Sequence, residues 1–327
     1  KHRIDAEEIE KLLRRFSLKG VRPLYTAADA DAALAVMEGY PFRTPITIGK
    51  GLSVTFYPAG HILGSAISVI TYENNGKKVR VCYTGDIGRF DKPILKDPCL
   101  DFAPEDRDID LLIMESTYGD RLHDPMVDLK PRFKEALLEA SDKGGSILIP
   151  SFAYGRTQEL LYVLHELYTE GEVPTLPVTV DSPLATKLTT VFGEHPEVYD
   201  EETHETFLQK GLNPFFFDQV GFTGSVEDSI SLTKEKKPHI VISASGMCEA
   251  GRILHHLRYK MHNPNNTILV VGYMAAHTLG RRILEQGQAY AADGRSGPAP
   301  LLKVLGKEYP LKAKVTKIDG FSAHADR

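Results

Sequence analysis

The chain has 327 residues, 42% of them apolar and 25% charged, with a formal net charge of −5 at pH 7. That length permits one large or two medium domains with real cores, and no apolar run approaches the roughly 18 residues of a spanning helix. Neither a membrane protein nor a signal peptide is expected. A negative chain has no global attraction for nucleic acid, so a polyanion would have to be held by metal ions and local basic groups. Three cysteines without paired spacing, Cys82, Cys99 and Cys248, point to a reducing, cytoplasmic setting. They argue against both a disulfide framework and a thiolate zinc site.

In chain order, Asp5 to Arg15 has helical periodicity with acidic residues first and basic residues last, as the helix dipole favours. Ala27 to Met37 predicts a second helix. From Leu52 the period becomes two: Leu52–Tyr57 and Ile67–Tyr72 predict strands, and Asn74-Asn75-Gly76 turns the chain into a third over Lys78–Tyr83. Buried-strand runs are predicted at Leu111–Met114, Ser146–Ile149, Pro177–Val180, His239–Ile242 and Thr267–Val271, with a further strand at Lys314–Ile318. Helical stretches such as Gln158–Tyr168 and Arg252–Met261 lie between them. This alternation predicts an α/β fold with a mainly parallel sheet covered by helices. A boundary is expected between Gly119 and Met126, a loop-rich stretch with one helix over Glu201–Asn213, and a linker or long surface loop over Gly287–Pro300.

Several predicted strands end in polar tips, where α/β folds place their ligands. Gly60-His61 is followed by Gly64-Ser65-Ala66, small residues that let an ion approach. Asp86, between Gly85 and Gly88, is placed to bridge two cations, though an Asx-turn or helix N-cap reads equally well. Glu115 closes an apolar run, and a carboxylate there needs a partner; the imidazole of His324, in Ser322-Ala323-His324-Ala325-Asp326, is the candidate. Ser243-Ala244-Ser245-Gly246-Met247 and Ser151-Phe152-Ala153-Tyr154-Gly155-Arg156 have the make-up of anion-binding loops leading into helices. Ordinary βα loops share that make-up. His255 and His256 are expected to divide between packing and solvent, and Lys234–Lys237 to be a solvated charge run.

Together these tips resemble the β-CASP branch of the metallo-β-lactamase superfamily, which includes RNA-processing endonucleases and RNase J-like nucleases. Pro58–Ala66 is similar to the third metal motif and Tyr83-Thr84-Gly85-Asp86 to the fourth. Glu115–Gly119 is similar to motif A and Asp319–Asp326 to motif B. The resemblance implies an incomplete metallo-β-lactamase αββα sandwich over 1–119, an inserted β-CASP domain over 120–320, and a return over 321–327. It also implies two Zn²⁺ ions with His61 and Asp86 as ligands, Asp86, Glu115 and His324 as catalytic residues, and Ser243, Ser245, Gly246 and Arg156 as substrate-binding residues. The implied activity is hydrolysis of single-stranded RNA, endonucleolytic with 5′-exonuclease action also open, by a homodimer or within an RNA-processing complex. The alternatives are a DNA-processing β-CASP nuclease and a non-catalytic RNA-binding subunit. The histidine-rich H-x-H-x-D-H loop and the motif C histidine are absent, so the chain is expected to be truncated at both ends and, alone, to bind zinc poorly and cleave little.

Overall fold

A computed structural model describes residues 24–326. The chain divides into two compact units, Lys1–Thr44 and Pro45–Arg327. Within the described part of the first lies α1 (Ala27–Leu34), opened by a capping box in which Thr26 and Asp29 satisfy each other's backbone N–H groups. It ends three residues before the expected Met37. The helix expected over Asp5–Arg15 lies outside the described residues.

The second unit opens with a five-stranded sheet: β1 (Ile46–Gly49), β2 (Leu52–Pro58), β3 (Ala66–Asn74), β4 (Lys77–Tyr83) and β5 (Leu111–Ile113), paired in that order. The β3–β4 hairpin turns on Asn75 and Gly76, both at positive φ, as a two-residue hairpin loop requires. The first four strands pair antiparallel, whereas β5 joins β4 in parallel. Its pairing places residue 115 beside the end of β4.

A six-stranded sheet follows, built with α2 (Leu129–Asp142), β6 (Ile147–Pro150), α3 (Arg156–Thr169), β7 (Val178–Val180), α4 (Pro183–Gly193), α5 (Glu201–Thr206), β8 (Val220–Phe222), α6 (Val226–Lys234), β9 (Ile240–Ser243), α7 (Ile253–Lys260), β10 (Thr267–Val270) and α8 (Leu279–Ala292). A hairpin, β11 (Leu301–Val304) and β12 (Lys307–Pro310), leads into β13 (Lys314–Lys317). The sheet order is β13-β10-β6-β9-β7-β8, with every neighbouring pair parallel. Alternate strand residues feed two cores. Ile147, Ile149, Ile240 and Ile242 pack with Phe133 of α2 and Leu160 and Leu164 of α3. Leu148, Val241 and Ile268 pack with Leu257 of α7 and Ile283 of α8. A parallel sheet covered on both faces explains the continuous apolar runs of its strands.

Two expectations are corrected. Leu111–Met114 is not a buried run, since its four side chains are 47–60% exposed; β5 is an edge strand whose only partner is β4 among the described residues. Gly287 does not open a linker either, because α8 continues to Ala292. A Cβ at Gly287 would lie 2.4 Å from Val315 Cγ2, so the glycine there permits close helix–strand packing. Only the stretch after Ala292 is loop.

Candidate active site

His61 is set by a crossing of two turns. Gly88 N–H donates to Ala59 O at 2.7 Å, and a Cβ at Gly88 would stand 2.1 Å from Gly60 O. Only a glycine allows that approach, which brings the His61 and Asp86 turns together. Ser65 Oγ accepts from the N–H groups of His61 and Ile62. His61 Nε2 then lies 3.8 Å from Asp86 Oδ2.

The tail joins the same place. Gly88 and His324 form an antiparallel bridge, and Ala325 N–H donates to Ile87 O at 2.8 Å. His324 is thereby held with Nδ1 at 2.9 and 3.1 Å from the two oxygens of Glu115. Glu115 also accepts from Ile87 N–H at 2.6 Å. Burial pushes the Glu115 carboxyl up, but hydrogen bonds from Thr117, His324 and Ile87 outweigh it and hold the pKa below its ordinary value. An ionised carboxylate only accepts, so His324 Nδ1 is the donor and Nε2 is left for chemistry.

His61, Asp86 and His324 each place a ligand-capable atom within 4.8 Å of the others, and the two imidazole rings lie 4.5 Å apart. His61 is buried, and burial followed by the neighbouring His324 and Lys92 lowers its pKa. It is therefore the neutral imidazole that a metal ion requires. Asp86 is 60% exposed and open to a ligand. The donor set of neutral imidazole and carboxylate fits a hard or borderline divalent ion.

The other predicted residues sit at the tips of adjacent strands β6 and β9, away from this cluster in the chain. Ser243 is buried and its Oγ donates to Asp181 O at 2.8 Å. Ser245 is half-buried, with Oγ accepting from Glu249 and Ala250 N–H, and Gly246 packs against the exposed ring of Phe152. Arg156 is largely buried, donating to Val271 O at 3.3 Å beside Glu159. The Ser243–Met247 loop does not run straight into a helix, because α7 starts only at Ile253.

Sequence reasoning missed the residues that brace the site. Arg89 donates to Gly320 O at 2.7 Å and Asp124 O at 2.8 Å, and His123 Nε2 lies 3.0 Å from His324 O. Both fix the tail that carries His324. A basic residue directly after Gly88, in the same turn as Asp86, was a usable signal for Arg89. Asp181, wholly buried, accepts from His256 Nε2 at 2.6 Å, Arg252 at 2.7 Å, Thr223 and Ser229. Burial alone would raise its pKa, yet these donors hold it well below the carboxylate range.

Residues 157–283 match the Beta-Casp domain. Ribonuclease TTHA0252 of Thermus thermophilus is 35% identical over 304 residues, covering 93% of this chain and 64% of that protein. An RNase J-like protein of Methanocaldococcus jannaschii is 32% identical, over 92% of this chain and 65% of its own length.

Residues 157–283 thus carry the Beta-Casp domain.

Transcription termination factor FttA of Methanosarcina mazei is a further β-CASP-region relative, 31% identical over 86% of this chain and 42% of its own length. The chain thus spans less than two thirds of these three relatives. The β-CASP match begins one residue into α3 and ends within α8, so it contains strands β7 to β10 of the six-stranded sheet, with β6 and β13 outside it. Among the described residues no helix is long and apolar enough to cross a membrane. All three cysteines are free and buried.

Proposed function

We propose that the natural protein is a metal-dependent ribonuclease that hydrolyses phosphodiester bonds of single-stranded RNA. The observation that carries this reading is the His324–Glu115 pair at 2.9 Å beside the His61–Asp86 donors. His61 and Asp86 would hold zinc ions, with Asp86 the candidate for bridging two. Bound zinc supplies a water acidic enough to attack at neutral pH and neutralises charge on the phosphate. Two candidate ligands among the described residues, His61 and Asp86, do not fill two catalytic zinc sites, which take about three protein ligands each. The isolated 327-residue chain is therefore expected to bind zinc weakly.

His324 delivers the proton to the departing 3′ oxygen from Nε2, leaving a 5′ phosphate on the product. Glu115 fixes the ring through Nδ1 and stabilises the imidazolium before transfer. Ser245 and Gly246, at the β9 tip, are placed to meet the RNA backbone. Phe152 and Tyr273, exposed by 47% and 53% at the tips of adjacent strands β6 and β10, offer faces on which unpaired bases stack. Ser243 and Arg156 act from beneath, through Asp181 and Val271. We propose the domain plan 1–119, 120–320 and 321–327, a cytoplasmic setting, and action as a homodimer or within an RNA-processing complex.

The names of the relatives, ribonuclease and RNase J-like protein, favour RNA over DNA. Cleavage of matched single-stranded RNA and DNA oligonucleotides by the natural protein tests this. Faster RNA cleavage is expected; preference for DNA would replace the reading with a DNA-processing nuclease, and no cleavage of either with a non-catalytic RNA-binding subunit.

A further inference from the structure

The first turn of α3 meets the loop of His61 along a buried seam. Lys92, on the loop after Asp86, places Nζ 2.7 Å from Glu159 Oε1. The same Nζ donates to His61 O at 3.1 Å. Both side chains are almost excluded from solvent, at 5% and 7% exposure. Arg156 Nε lies 3.5 Å from the other Glu159 oxygen, and Tyr154 OH donates to Leu63 O two residues beyond His61. A carboxylate in the Beta-Casp-matched region thus neutralises a lysine whose remaining bond goes to the backbone of a metal-ligand candidate.

We propose that Glu159 and Lys92 are positioning residues that hold the His61 backbone, and so its imidazole, in register with Asp86. Glu159 fixes the Lys92 ammonium, and the ammonium fixes the His61 carbonyl. Metal affinity then depends on a helix that offers no ligand itself. Groups that orient metal ligands in this way change affinity when removed, although they never touch the ion. A pair serving stability alone behaves differently, because apolar side chains of similar volume replace buried ion pairs with little loss. Methionine at position 92 restores packing but gives His61 O no donor.

The inference rests on the metal-site reading of His61 and Asp86, and its test separates the two. Zinc(II) affinity, by competition with a chromophoric chelator, and the thermal midpoint of the metal-free form are measured on the natural protein. The variants are Glu159→Gln, Lys92→Met, the double Lys92→Met/Glu159→Leu, and Asp86→Asn. The single variants are expected to lose about 10–100-fold in zinc affinity. The double variant is expected to regain the thermal midpoint while zinc affinity stays low. Recovery of both in the double variant, or unchanged affinity in Glu159→Gln, would overturn the positioning role. If the single variants do not fold, the double variant alone decides. Zinc binding that survives Asp86→Asn would remove the metal-site reading itself; binding that needs Asp86 but ignores Glu159 and Lys92 would remove only this inference.

Discussion

Glu115 stands at the end of an exposed edge strand, yet its carboxylate is 13% exposed and takes bonds from His324 and Ile87. A carboxylate held ionised against one ring nitrogen fixes the tautomer and leaves the other nitrogen to exchange protons. On this account His324→Ala keeps zinc content unchanged and slows single-turnover RNA cleavage by about 10²–10⁴-fold, the range for general acid catalysis. Glu115→Gln should lower the rate in the same direction, again without metal loss, because an amide cannot stabilise the imidazolium as a carboxylate does. Zinc analysis beside the kinetics checks both. Loss of zinc in His324→Ala would make the histidine a ligand instead.

The site is assembled by turns at strand ends, and one crossing is decisive. Gly88→Ala puts a Cβ against the Gly60 carbonyl, which is backbone and cannot rotate away. We expect a stability loss of about 1–3 kcal/mol, typical of overpacking, together with weaker zinc binding; chemical denaturation and zinc titration would show it. The strands and their polar tips were legible because alternation, apolar runs and glycine punctuation are local signals. His61, Asp86, Glu115 and His324 could each be marked from such signals, and their convergence from the resemblance. The exposure of Leu111–Met114 was not legible, since an apolar run looks the same at an edge as in the middle of a sheet. Gly287 read as a loop residue because its cause, the approach of Val315, lies on another element. Lys92 and Glu159 were silent for a similar reason: each alone has the look of a surface charge, and only tertiary contact buries both.

Over the whole molecule, adjacent buried groups on α3 set opposing pH dependences. His165 packs between the Phe207 and Phe217 rings, and burial lowers its pKa. The unfolded chain takes a proton near pH 6.5 that the folded chain resists, so stability is lost as pH falls below that value. Glu166 works the other way. Burial pushes its pKa up to about 7 despite Lys130, so the folded chain takes its proton before the unfolded one and stability is gained as pH falls from about 7. Thermal melts between pH 5 and 8 should therefore show His165→Phe gaining on the parent as pH falls. Glu166→Gln should be favoured over the parent at pH 8, with that advantage gone by pH 5. Matching slopes for parent and variants would refute both assignments. At the same scale, the β-CASP region and the five-stranded sheet meet through buried charge at Lys92 and Glu159, which ties helix α3 to the candidate metal loop.

The most direct test is anomalous diffraction at the zinc edge from crystals of the natural protein grown with zinc(II). Anomalous peaks bonded to the His61 imidazole and the Asp86 carboxylate, with His324 Nδ1 still on Glu115, are the predicted result. Zinc bound elsewhere, with neither His61 nor Asp86 in contact, would contradict the account.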